Sequence, residues 1–93
     1  MEVIFDAYVR TKQKQEKESD VKIPILTLSL NNGVQFNGRI SQCDFDSRRL
    51  SFVIITPEGS MDVAFIDFDS ITTITLHDLN FCQEFLAELR QIQ

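Results

Sequence analysis

Two alternating stretches on either side of Asn31-Asn32-Gly33 constrain the fold of this chain more than any other feature. From Lys22 to Leu30 the sequence alternates, with Leu26, Leu28 and Leu30 on one face, which indicates a strand with one buried face. Val34 to Phe45 alternates in the same way, and Gly38 within it indicates a bend or a close approach of another backbone. Asn and Gly adopt the positive φ that tight hairpin turns require. The sequence therefore predicts a β-hairpin.

Three shorter stretches of strand-forming residues follow, separated by turn-forming residues. They run from Leu50 to Ile55, from Met61 to Ile66 and from Ile71 to Leu76, each with the length of an ordinary strand. Residues 44–49 interrupt the alternation and are predicted to form a loop. A chain of 93 residues suffices for one modest core, so we expect a single domain, with five strands between residues 21 and 76.

Helices are predicted at both ends, which makes the fold mostly β in an α+β class. Residues 1–20 fit a helix or arm, although a short strand from Val3 to Val9 is an alternative. Asp78 is placed to cap a helix over residues 78–92. The apolar residues of that segment recur at helical spacing, at Phe81, Phe85, Leu86, Leu89 and Ile92.

The charge of the chain is unevenly distributed. The formal net charge is −5, yet residues 21–50 carry four basic and two acidic side chains, and residues 51–93 carry one basic and seven acidic ones. An anion-binding surface is therefore expected in the first fifty residues. The longest apolar run, Phe52 to Ile55, is far shorter than the ~20 residues of a membrane span, and no secretory leader is evident, so we expect a cytoplasmic protein.

The sequence contains no motif for catalysis, metal binding or cofactor binding. His77 is the single histidine, too few for a histidine cluster or triad. Cys43 and Cys82 are separated by 39 residues, which matches no zinc spacing, and both are expected to be small buried side chains. We expect a protein that is not an enzyme and needs no cofactor.

The segment from Leu28 to Asp44 resembles the first motif of the Sm/LSm family, with the spacing Gly-x4-Gly-x-hydrophobic-x3-Asp. The stretch from Ile66 to Ile71 matches the hydrophobic ends of the second motif but lacks its central Arg-Gly. The resemblance implies an N-terminal helix and five strongly bent antiparallel strands that close a small barrel, with the C-terminal helix as an addition. It also implies a homo-oligomeric ring of about five to seven subunits, in which the fourth strand of one subunit pairs with the fifth of the next.

In rings of this family, two loops line the pore and bind single-stranded, uridine-rich RNA. The resemblance places Asp44 at the loop aspartate, Asp46 at the base-stacking position and Arg48 near the position of an asparagine that reads the base. Asp67, followed by Phe68, stands where the family has its second-motif arginine. Two of the expected RNA contacts are thus replaced by carboxylates.

The residues themselves offer a related interface. Phe45 could stack a base, and Arg48 and Arg49 could contact phosphate; alternatively, Phe45 is core and both arginines pair with Asp44 and Asp46. We therefore expect a non-catalytic ring that binds single-stranded RNA or DNA, helped by a basic N-terminal stretch. That stretch comprises Arg10, Lys12, Lys14 and Lys17 and is equally typical of a solvated helix face. The alternative function is a structural or protein-interaction module that binds no nucleic acid.

Overall fold

A computed structural model describes residues 1–92, so Gln93, the last residue of the predicted domain, lies outside it. The fold is α+β, with five antiparallel strands in one open sheet and a helix at either end. The helices are α1 (Glu2–Lys17) and α2 (Gln83–Ile92), and the strands are β1 (Leu26–Leu30), β2 (Gln35–Asp44), β3 (Arg49–Ile55), β4 (Met61–Asp67) and β5 (Ile71–Leu76). The chain divides into two compact units. The sheet unit is Ile25–His77, and the helical unit is Met1–Pro24 together with the chain from Asp78 onward.

The strands of the sheet unit are ordered β4-β3-β2-β1-β5, and every neighbouring pair is antiparallel. Five strands are therefore confirmed, but the sheet of a single chain is open, with β4 and β5 as its two edges. The predicted hairpin turn is present: the Gly33 amide donates to the Leu30 carbonyl over 3.0 Å, and Gly33 has a φ of 87°. Asn32 stabilises the turn because its Oδ1 accepts a hydrogen bond from the Val34 amide.

Gly38 has the close backbone approach that the sequence predicts. A Cβ at this position would collide with the carbonyl oxygen of Val53 on β3. β2 therefore requires glycine here because any other side chain would push the two strands apart.

A register shift in β2 decides which of its side chains face solvent. Ile40 pairs with Phe52 and Gln42 pairs with Ser51, so Ser41 is an extra residue in the ladder. In a ladder without a bulge, Gln42, two residues after Ile40, would share the buried face of Ile40. The bulge instead turns Gln42 to the exposed face. The buried face of the strands carries Leu26, Leu28, Ile40, Leu50, Phe52 and Ile66.

In the helical unit, the N-terminal segment is a helix rather than a strand. α1 contacts α2 through Tyr8 and Phe85, whose rings meet edge to face with centroids 6.4 Å apart. The carboxylate of Glu88 is almost fully buried, and its Oε1 lies 2.6 Å from Lys14 Nζ. Arg10 lies at the edge of the same cluster, 4.0 Å from Glu88 and 3.3 Å from Asp6. None of the helices in residues 1–92 has the length and apolar character needed to cross a membrane.

Several predicted boundaries and burials are wrong. β1 begins at Leu26 rather than Lys22, and α2 begins at Gln83 rather than Asp78. Asp78 adopts a left-handed conformation and makes no side-chain cap, and a short 3-10 helix over Leu79–Phe81 precedes α2. Phe81 therefore lies outside the apolar stripe and is 68% exposed. Cys82 is buried as expected, whereas Cys43 is only half-buried.

Candidate nucleic-acid interface

The seven predicted site residues are gathered at one end of the sheet unit. They lie on the ends of β2 and β4, the start of β3, the loop between β2 and β3, and a 3-10 helix over Phe68–Ser70 that follows β4. Three of them form one cross-strand row on the exposed face, because Asp44 pairs with Arg49 and Arg49 pairs with Asp67. The whole set is Asp44, Phe45, Asp46, Arg48, Arg49, Asp67 and Phe68.

Both arginines of the site form ion pairs, but with partners other than those the sequence indicated. Arg49 Nε donates to Asp67 Oδ1 over 2.8 Å, and Arg48 Nη2 donates to Asp69 Oδ1 over 2.9 Å. The interpretation that both arginines pair with carboxylates of their own loop is therefore wrong. Antiparallel pairing of β3 with β4 brings Arg49 beside Asp67, a contact between residues 18 positions apart.

Asp44 organises the loop that follows β2. Its Oδ1 accepts hydrogen bonds from the backbone amides of Asp46 and Ser47, at 3.0 and 3.2 Å. The amide of Ser47, then its hydroxyl, and then the amide of Asp46 hold the pKa of the Asp44 carboxyl below its ordinary value near 3.8, because all three favour the charged form. Asp44 is thus an anionic turn residue whose accepting oxygen is occupied by its own loop.

The aromatic part of the site is a cluster of three side chains, in which Phe45 and Arg48 both contact the ring of Phe68. Phe45 is 39% exposed, so it is not a core residue, and its ring meets the buried ring of Phe68 edge to face at 5.9 Å. The guanidinium of Arg48 lies over the face of the Phe68 ring, with its central carbon 5.6 Å from the ring centroid, which is a cation–π contact. Arg48 has a φ of 59°, in the left-handed region, and its carbonyl accepts a hydrogen bond from the Phe68 amide. This contact ties the β2–β3 loop to the chain that follows β4.

The charge of this end of the sheet is negative. Arg48 and Arg49 stand among four carboxylates, those of Asp44, Asp46, Asp67 and Asp69, which makes a local formal charge of −2. Binding there cannot depend on a strong positive potential, so any polyanion must gain affinity from other interactions.

A groove that the sequence interpretation missed lies next to this cluster. It has a volume of about 500 Å³, and its lining includes Gln42, Ser51 and Phe65 together with Asp44, Ser47 and Arg49. Gln42, Ser51 and Phe65 form the cross-strand row adjacent to that of Asp44, Arg49 and Asp67. Phe65 is 83% exposed. Apolar residues at positions 61, 63 and 65 signal this face in the sequence, but Ala64 and Ile66 on the opposite face of β4 are apolar as well, which hides the alternation.

Metal binding finds no support in the described part of the chain. No group of three or more His, Cys, Asp or Glu side chains within residues 1–92 is arranged to hold a metal ion.

The chain matches none of the protein-family models against which it was compared, and none of the curated proteins.

Proposed function

We propose that this chain is an Sm-like subunit that forms a homo-oligomeric ring and binds single-stranded nucleic acid, RNA in the first place, without catalysis. The observation that carries the proposal is the strand order β4-β3-β2-β1-β5. Its two edges, β4 and β5, are the strands that would pair between neighbouring subunits in a ring of the family that the chain resembles.

The β4 edge supports assembly on physical grounds. An edge strand exposes unpaired backbone groups, and proteins normally shield such edges with charge, bulges or a partner strand. β4 carries two carboxylates, Asp62 and Asp67, but it also places apolar side chains in solvent, with Met61 74% exposed and Val63 56% exposed. Pairing β4 of one copy with β5 of another would satisfy both edges at once and, in a closed ring, leave none free.

The clustering of Phe45, Arg48 and Arg49 supports nucleic-acid binding. Phe45 offers part of an aromatic face, and both arginine side chains are about half exposed or more in spite of their ion pairs. Ion pairs of this exposure contribute only about 0–1 kcal/mol, so a phosphate can replace the carboxylate partner at small cost. In a ring these side chains would be repeated in every subunit, and one strand could bind to several copies.

Light scattering tests the ring. We expect a mass of about five to seven times the 10.7 kDa of the chain, and a monomer at micromolar concentration would contradict the proposal. Val63→Lys places a charge in the middle of the exposed β4 face and should shift the mass towards the monomer. Gln35→Lys introduces the same side chain at an exposed position of the inner strand β2; it is the control and should leave the mass unchanged.

Fluorescent oligouridylate, oligoadenylate and random single-stranded DNA test the ligand. We expect saturable binding at low salt that weakens as salt is raised. Replacing Arg48 and Arg49 together by Glu should abolish binding, and each single replacement should weaken it, whereas Lys22→Glu, a single charge reversal at an exposed residue elsewhere, should reduce it little. Absence of saturable binding to all three probes at low salt would contradict the nucleic-acid part of the proposal.

The local charge of −2 favours a second candidate, an Sm-like ring used as a structural or protein-interaction module. Its four carboxylates would repel a phosphate backbone and suit a basic protein surface. A ring-sized mass combined with no binding of any nucleic-acid probe would select this candidate.

A further inference from the structure

We propose that the groove beside Phe65 is a nucleobase site, in which one base of a single strand stacks on the Phe65 ring; this inference rests on the proposed function. An 83% exposed phenylalanine costs free energy in water and is seldom left uncovered. A flat aromatic face is the usual platform for an unpaired base because every base presents a π face of similar size. The groove volume of about 500 Å³ lies within the range of small-ligand sites.

The groove also offers hydrogen-bonding groups beside the platform. Gln42 and Phe65 flank Ser51 in one cross-strand row, so an amide and a hydroxyl lie next to the ring on the same exposed face. A glutamine amide presents one donor and one acceptor side by side, and this pair matches the edges of adenine and uracil. The bulge at Ser41 is what brings Gln42 to this face.

Arg49 lies at the end of the groove, where the phosphate of a stacked nucleotide would be expected. Its partner Asp67 holds the guanidinium at the surface by one bond from Nε, which leaves the two terminal nitrogens for a phosphate. Because the cluster as a whole is negative, the base rather than the phosphate must provide most of the affinity. The site therefore differs from a positively charged groove that binds the phosphate backbone of any nucleic acid. Its occupant is a single strand that carries bases rather than any polyanion.

The test compares two probes of equal length and charge, an oligouridylate and an abasic ribose-phosphate chain. We expect the wild-type protein to bind the oligouridylate about tenfold or more tightly than the abasic chain, in line with the contribution of one stacked base. Phe65→Leu keeps an apolar side chain but removes the ring, and should reduce the preference for the oligouridylate by the contribution of one stacked base, about tenfold, leaving the contribution of Phe45. Phe65→Tyr keeps the ring and should preserve the difference. Phe81→Leu removes another exposed ring outside the groove and is the matched control, expected to behave as wild type.

The possible results distinguish failure of the proposed nucleic-acid binding from failure of the base site at Phe65. If the wild-type protein binds neither probe, the proposed function fails and the base site fails with it. If it binds both probes equally, or if Phe65→Leu keeps the wild-type preference, nucleic-acid binding stands and the base site is overturned. Light scattering on the same variants separates stacking from assembly, because a fall in mass with Phe65→Leu would place Phe65 in the subunit interface and also overturn the base site.

Discussion

Arg49 Nε lies 2.8 Å from Asp67 Oδ1 across the β3–β4 ladder, so a carboxylate neutralises the arginine that the site would use against phosphate. Asp67 stands where the resemblance implies an arginine. An arginine at this position would attract RNA, whereas Asp67 restrains Arg49. Changing the charge of Asp67 therefore tests whether this ion pair limits nucleic-acid binding.

Asp67→Asn is expected to strengthen binding of oligouridylate by about three- to tenfold at low salt, because it removes one negative charge and frees Arg49 for phosphate. The slope of log K against log salt should steepen by about 0.7 for each additional phosphate that the protein neutralises. Fluorescence anisotropy over a salt series measures both quantities. Asp62→Asn removes the same charge from β4 away from Arg49 and serves as control. Equal behaviour of the two variants would show that Asp67 does not restrain Arg49 in a way that matters for binding.

Gly38→Ala is expected to lower the free energy of unfolding by about 1–3 kcal/mol, because the added Cβ would collide with the Val53 carbonyl and separate β2 from β3. Urea denaturation followed by circular dichroism measures the loss. Gly59→Ala is the comparison: Gly59 has a φ of 82° but open space around it, so only backbone strain of about 1 kcal/mol applies. A Gly38→Ala protein as stable as the Gly59→Ala protein would rule out the steric explanation.

Glu88→Gln is expected to lower the free energy of unfolding by about 1 kcal/mol, a modest figure because Lys14, on the other side of the 2.6 Å ion pair, is about half exposed. A double-mutant cycle with Lys14→Gln should show that the two residues are coupled. Glu84→Gln makes the same chemical change one turn earlier on α2 and should alter stability by less than about 0.5 kcal/mol. Additive effects of Glu88→Gln and Lys14→Gln would contradict the pairing.

Asp44 should titrate below its ordinary pKa of about 3.8, because its charged form accepts bonds from Ser47 and Asp46. A lowered folded-state pKa stabilises the fold at all pH values above the unfolded pKa, and this stabilisation is lost as the pH falls through the folded pKa. Carboxyl NMR titration measures the value directly. Ser47→Ala removes the hydroxyl bond but keeps the stronger amide bond, so the pKa should rise only part of the way. Ser51→Ala, which leaves the hydrogen bonds of Asp44 intact, should not change it.

The sequence predicted the order of the elements because the signals for strands and turns are local. Asn31-Asn32-Gly33 forms its turn from its own backbone and the Asn32 side chain, so neighbours in sequence suffice to predict it. The start of α2 could not be predicted in this way. Asp78 has the right chemistry for a cap, but its left-handed backbone and the following 3-10 turn move the helix start to Gln83.

The sequence also indicated which residues would lie together at this end of the sheet, but not how they are paired. The loop residues are adjacent in the chain, so their clustering could be predicted from position alone. The partners of Arg48 and Arg49 come from beyond β3, and only the register between β3 and β4 decides that these are Asp69 and Asp67. Phe65 was missed for a similar reason, since its groove is built from three strands and depends on a bulge that strict alternation does not predict.

The extra residue at Ser41 makes the site depend on how β2 is paired with β3 as much as on which residues it contains. Deleting Ser41 would make the ladder regular, with Gln42, Cys43 and Asp44 following Ile40 and each keeping its present partner and face. If Ser41 instead paired with Ser51 in a ladder without the bulge, Cys43 would turn towards solvent, and the side chains of Gln42 and Asp44 would turn towards the core. Two pairings of the same sequence that differ by one residue therefore share the strand order, but only the pairing with the bulge presents the binding surface to solvent.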